Sequence, residues 1–469
     1  MIRVLFTNEW LATLRDGRGL AILLLAALLA IVSTWTAAST DHREQHSQST
    51  ATELARTAWL EKPADHPHSR AHYGDFVFRP NGPLAGLDSG LQAVTGRAVR
   101  TEAHRQNDAV HRPQEEAASL LRFERLEPST VLQMILPLVI VLAGFGTIAS
   151  ERESGRMRLL LIQDVRPLQL LLAKSLAYWS MGAALSLLVV GTHVAVADHV
   201  DPQRTAAFLA LHLVALWIVA VLMTSISARL QRPGTAAAVL LFLWGCGAIV
   251  LPRVSAMTAN VLDPLPGRDA FEAAMREDRE QGLDGHNPRD ERRIELEEQI
   301  LAEYDVETKE ELPINIDGLL MQADEEYGNS VWDKHFGALE EQLKRQSRRI
   351  GLFSIANPLQ ATDQLSMAIA GTGLKSHLSF LHQVETYRRD LVKNLNDEHA
   401  YGGSLTGERG WKPTLEFYAA FEGFHFEAPP IDVLLGDRLF ELASLAAWLL
   451  GSAAYLVLTA RRLELGGPA

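Results

Sequence analysis

The sequence predicts an all-α membrane protein: six transmembrane helices, a mainly helical exterior domain between spans five and six, and a smaller mixed insert between spans one and two. Three observations carry this prediction. Six blocks of the 469-residue chain contain no Asp, Glu, Lys or Arg, namely 19–38, 131–148, 175–197, 206–228, 235–252 and 442–460. Each is 18 to 23 residues long, which matches the helix needed to cross a hydrocarbon core of about 30 Å. The net charge of −13 is also unevenly spread. Residues 1–18, 149–174, 229–234 and 461–469 hold 12 basic against 6 acidic residues, whereas 253–441 holds 20 against 36. Basic excess in short loops marks the cytoplasmic side, so both termini are expected inside and the two inserts outside. Finally, 253–441 carries helical apolar spacing, with Trp332, Phe336, Leu339 and Leu343 in one stripe and Leu381, Val384, Leu391 and Leu395 in another.

The elements follow in order. Residues 1–18 place Ile2, Leu5, Phe6, Trp10 and Leu14 at helical spacing among charges, which suggests an amphipathic helix in the inner interface. The block 19–38 is read as an uncleaved anchor, because its apolar core is longer than that of a signal peptide and Glu9 and Asp16 lie in its leader. The insert 39–130 starts polar and contains Phe76-Val77-Phe78 and Pro80-Asn81-Gly82-Pro83, which predicts extended chain and turns instead of continuous helix. Within the second span, Pro137 and Gln133 are candidates for a kink and a polar pathway. His193 and His212, near the outer ends of spans three and four, are candidate pathway residues expected at similar depth, and Glu441 stands at the mouth of span six. For all four, helix pairing or a span boundary is the alternative. The acidic tract 291–311 reads as a solvated helical face. The only cysteine, Cys246, lies in span five, so no intramolecular disulfide is possible.

His66, His68 and His72 are weak candidates for metal, because imidazole suits zinc or copper. A structural site wants four ligands, so the expectation for this Pro-interrupted stretch is a solvated loop without metal. Nucleic-acid binding is disfavoured by the outside charge and the small inside surface.

The inner loop 149–174 is the most informative stretch. Glu151-Arg152-Glu153-Ser154-Gly155, Leu159-Leu160-Leu161, Pro167 and Lys174 form a charged turn, a glycine interruption and a short apolar run before a span. This pattern resembles the coupling segment of ABC type-2 transporter permeases. The amphipathic leader, the six spans and the inside termini match as well. The two large inserts, with Asn357-Pro358-Leu359-Gln360 and Tyr387-Arg388-Arg389-Asp390-Leu391, are similar to a subgroup with a periplasmic region of unknown function. Arg156-Met157-Arg158 departs from the small and acidic residues usual after the glycine.

The resemblance implies a permease subunit, an exporter by expectation, whose ATPase-coupling residues are Glu151, Arg152, Glu153, Gly155 and Arg156. It implies a separate cytoplasmic ABC ATPase that holds the ATP and Mg, a second permease copy or homologue, and a bacterial inner membrane. The chain itself has no phosphate-binding loop, since Leu374 replaces the required glycine in Gly371-Thr372-Gly373-Leu374-Lys375-Ser376; no cofactor and no catalytic residue are expected on it. Two alternatives stand beside the exporter: a mechanotransmission protein that acts on a periplasmic partner without transport, and a membrane-anchored receptor.

Overall fold

The computed structural model describes residues 1–110, 126–163, 165–283, 289–408 and 410–465. Helix α1 (Ile2–Arg15) meets α2 (Gly17–Glu61) at a tight elbow. Asp16 caps α2 by accepting from the backbone N–H of Arg18 and Gly19. Gly19 is required there, since a Cβ would stand 2.6 Å from the Thr13 carbonyl oxygen.

Six helices among the described residues are long and apolar enough to cross a membrane, and they contain the six charge-free blocks except for Ala197, which follows the third. The first lies in α2. The second is α3 (128–144), and the remainder are α4 (Pro167–Val196), α5 (Pro202–Arg229), α6 (Pro233–Leu262) and α7 (Leu439–Leu465). Their shared core is apolar, with Leu136, Ile140, Val189, Phe208, Leu216 and Ile218 almost inaccessible. Spans two and five each carry a π-helical turn, Val131–Ile135 and Cys246–Val250. A proline lies two residues beyond each, Pro137 and Pro252. Proline lacks the N–H that would continue the ladder, and side chains from other elements donate to carbonyls within both turns. Trp244 Nε1 donates to the Met134 carbonyl at 3.0 Å, and Asn357 Nδ2 to that of Gly247 at 2.8 Å. The kink expected at Pro137 is therefore a π turn.

One expectation is corrected. Residues 39–61 are not extended chain; they prolong the first span as helix to Glu61. The segment has no Gly or Pro before Pro63, so no breaker interrupts helix propagation. The extended chemistry lies farther on, where β1 (Asp75–Phe78) pairs antiparallel with β2 (Ala98–Thr101) in the register Asp75↔Thr101. A short helix, α8 (Pro67–Tyr73), precedes β1.

The second insert is helical, as predicted. Its two longest members, α9 (Ile316–Leu352) and α10 (Leu374–Tyr401), pack along one another, and α10 buries Leu391 and Leu395 against Trp59 and Ala71, and Val384 against Val77 and Val99, of the first insert. Between them α11 (Pro358–Ala370) leaves the insert and enters the core of the bundle against spans four and six. Ala361, Leu365 and Ile369 are buried there. Arg204 of α5 holds its C-terminal end by donating to the Ile369 carbonyl at 2.9 Å, the favourable place for a cation on a helix. The bundle thus has an insert end, closed by α11, and a basic end that carries α1 and the 149–163 segment.

Candidate functional site

At the basic end, the chain leaves span two through a turn and forms two short helices, α12 (Ala149–Glu153) and α13 (Arg156–Ile162). Gly155 separates them at φ +75°, a left-handed conformation that glycine adopts without a Cβ penalty. The turn is fastened to span four. Ser227 Oγ donates to the Phe145 carbonyl at 2.7 Å and accepts from the N–H groups of Ile148 and Ala149 at 3.2 Å each. Arg152 Nη1 donates to the Leu230 carbonyl at 3.3 Å.

A buried lysine lies beneath. Lys174 of α4 is 2% exposed and donates to Glu151 at 2.9 Å and to Glu9 of α1. The second oxygen of Glu9 accepts from Tyr178 at 2.8 Å and from Thr147 at 3.0 Å. One ammonium therefore joins three separate elements: α1, α12 and the third span. A buried charge is tolerable only with partners that replace its water, and here two carboxylates do so. Trp10 Nε1 adds a bond from α1 to Ser180 at 2.9 Å.

The coupling residues read from the sequence divide into two groups. Glu151 and Arg152 turn inward to these contacts, and Gly155 makes the bend. Glu153 and Arg156 stay exposed on the outer face. Met157 is buried under α13, whereas Leu159 is 60% and Ile162 80% exposed. The outer face thus offers two charges and two large apolar side chains, more apolar surface than a solvated loop requires. Glu9, Tyr178, Thr147 and Ser227 were missed by sequence reasoning. For Glu9 a signal existed: it stands between the buried Leu5 and Thr13 at spacing of four, a carboxylate on the inward stripe of α1.

The pathway candidates are scattered. Gln133 Nε2 lies 3.4 Å from His212 Nε2, and His212 Nδ1 bonds the Phe208 carbonyl at 2.8 Å. His193 is buried with neither ring nitrogen hydrogen-bonded, and it borders a cavity of about 710 Å³ at the insert end, together with His42, Asp198 and His425. No hydrogen bond or ring contact joins His193 to His212. Glu441 is 3% exposed and accepts from Arg438 at 3.1 Å beside Gly351.

The histidines of the first insert are also regrouped. His66 Nε2 lies 3.1 Å from His399 Nε2 on α10. His68 and His72 share one face of α8 with their Nε2 atoms 3.0 Å apart, and His104 completes a triplet that the sequence did not suggest. Burial, with the neighbouring imidazoles second, pushes His68 down to about 4 and holds His72 below its ordinary value. These rings are therefore neutral near pH 7.

Residues 116–265 match the ABC-2 family transporter protein family, and residues 268–419 match a domain of unknown function (DUF3526). The first match takes in the coupling segment and spans two to five; the second takes in most of the helical insert. The two matches are consistent with an ABC-2 permease that carries an additional domain, in line with the resemblance. No curated protein matches the chain.

Proposed function

We propose that this permease is driven by a separate cytoplasmic ABC ATPase that docks on the outer face of α12 and α13. The observation that carries the reading is the two-sidedness of that segment. Glu153, Arg156, Leu159 and Ile162 face outward, while Glu151, from the same turn, grips Lys174 together with Glu9. A push on the outer face is delivered through the shared ammonium to α1 and the third span at once. ATP and Mg belong to the partner, and the substrate moves outward through a complex with two permease subunits, this chain and a copy or homologue. Both termini are cytoplasmic in a bacterial inner membrane, in keeping with the basic charge of their end.

A second reading has one observation in its favour. α2 runs without a break from the first span to Glu61, and near its end Trp59 is buried, donating to the Tyr418 carbonyl at 2.9 Å. A continuous helix passes a tilt from the membrane to the insert, which suits mechanotransmission to a periplasmic partner. Reconstitution with the ATPase separates the two. Export predicts ATP-dependent movement of a stimulating substrate across the vesicle; mechanotransmission predicts ATP-dependent change at the insert with no movement. An ATPase that neither binds nor responds to the permease would refute both.

A further inference from the structure

We propose that His68, His72 and His104 form a binding site for a zinc-like divalent transition-metal ion at the junction of the two inserts. One ligand atom from each lies within 4.8 Å of the others. A tetrahedral zinc ion 2.0–2.1 Å from each nitrogen keeps the nitrogens about 3.3 Å apart, and the His68–His72 separation of 3.0 Å is already near that value. The ring centroids, 4.4, 5.0 and 5.5 Å apart, leave one centre that all three can reach.

The local backbone explains the convergence. α8 presents His68 and His72 at spacing of four, one turn apart on a single face. His104 comes from the turn after β2, which Glu102 and Arg105 close by a β-bridge. There His104 holds φ +61°, an uncommon conformation for a residue with a Cβ and one that recurs at functional sites. Glu325 Oε1 lies 2.6 Å from its Nδ1 and accepts from its backbone N–H, which places a carboxylate behind the ring. A carboxylate behind a ligating histidine is the usual outer partner, fixing the tautomer and the ring. Glu325 is itself held by Arg388, which is 2% exposed, at 3.2 Å.

Among the described residues the group has three imidazoles and no fourth ligand, which describes an open site. His68 and His104 also line a cavity of about 450 Å³ with Asp317, Asp324 and Tyr327, which gives room for water or an incoming donor. Three nitrogens select zinc, copper, nickel or cobalt over magnesium or calcium. Since α8 and the His104 turn belong to the first insert and Glu325 to the second, a bound ion ties the two together.

The test uses the full-length purified permease, stripped with chelator and then titrated with zinc, with cobalt as a spectroscopic substitute. The expected result is one zinc per chain, a tetrahedral ligand-field spectrum for cobalt, and a higher unfolding temperature with zinc. His72→Gln, at an exposed position, weakens binding at least tenfold, and Glu325→Gln weakens it about tenfold to a hundredfold. His66→Gln and His399→Gln, which alter the neighbouring pair, leave it unchanged. Absence of zinc and cobalt binding by the unaltered chain would overturn the proposal without any variant; so would equal binding by the unaltered chain and a folded His72→Gln protein.

Discussion

The two ends of this protein handle clustered polar groups in opposite ways. At the basic end, Lys174 is compensated by Glu9 and Glu151, with Tyr178 and Thr147 bonding the remaining oxygen. At the insert end, His68, His72 and His104 crowd together with a carboxylate against only one of them. The first arrangement is complete and holds a geometry. The second has lone pairs to spare and invites a ligand. Under the proposed function the first is the part that transmits force, and under the proposed metal site the second is the part that binds a ligand.

Four outcomes would sharpen or break this contrast. The largest effect is expected for Lys174→Ala, which leaves two carboxylates facing each other in a buried site; removing one partner of a buried ion pair costs about 3–5 kcal/mol. The expected result is a marked fall in unfolding temperature and protease access to α1. Neutralising all three charges together, with Glu9→Gln, Glu151→Gln and Lys174→Met, restores most of the stability. An additive loss in the triple variant would contradict the clamp.

A smaller effect, about 1 kcal/mol, is expected for Ser227→Ala, which removes one hydroxyl that accepts two backbone N–H groups. Hydrogen exchange at Ile148 and Ala149 reports it. Leu159→Ser with Ile162→Ser, by contrast, leaves the stability of the isolated protein within about 0.5 kcal/mol of the parent, because both side chains are exposed. A large loss would mean that this face is buried against the chain itself.

The last outcome concerns pH at the insert end. Burial pushes Asp88 up to about 7 and Asp363 up to about 6. Asp88 faces Ser366, Glu127, Asp363 and the Gly90 N–H, and Asp363 faces Gln364 and Arg438. The folded state therefore binds these protons more tightly than the unfolded chain. Their contribution is fully present below about 3.8 and is lost as the pH rises through 6 to 7. Relative to Asp88→Asn, the parent is expected to lose unfolding temperature from pH 5 to pH 8.

The sequence displayed the spans because an uncharged block of 18 residues has few other uses. It displayed the bend at Gly155 because a left-handed residue between charged and apolar runs favours glycine. What it concealed lies in contacts distant along the chain. Glu9 and Lys174 are 165 residues apart, and Glu325 reaches the His104 backbone across 221. Local pattern cannot pair such residues. The helix 39–61 was misjudged because polar content was taken for loop, although no Gly or Pro breaks it.

The central claim is that docking and transmission use opposite faces of one segment. It is tested most directly by measuring ATPase co-purification and permease-stimulated ATP hydrolysis for two proteins, Ile162→Asp and the neutral triple variant at Glu9, Glu151 and Lys174. The account predicts that Ile162→Asp loses the ATPase altogether, whereas the triple variant retains it and loses stimulation. Retention of the ATPase by Ile162→Asp, or undiminished stimulation in the triple variant, would contradict it.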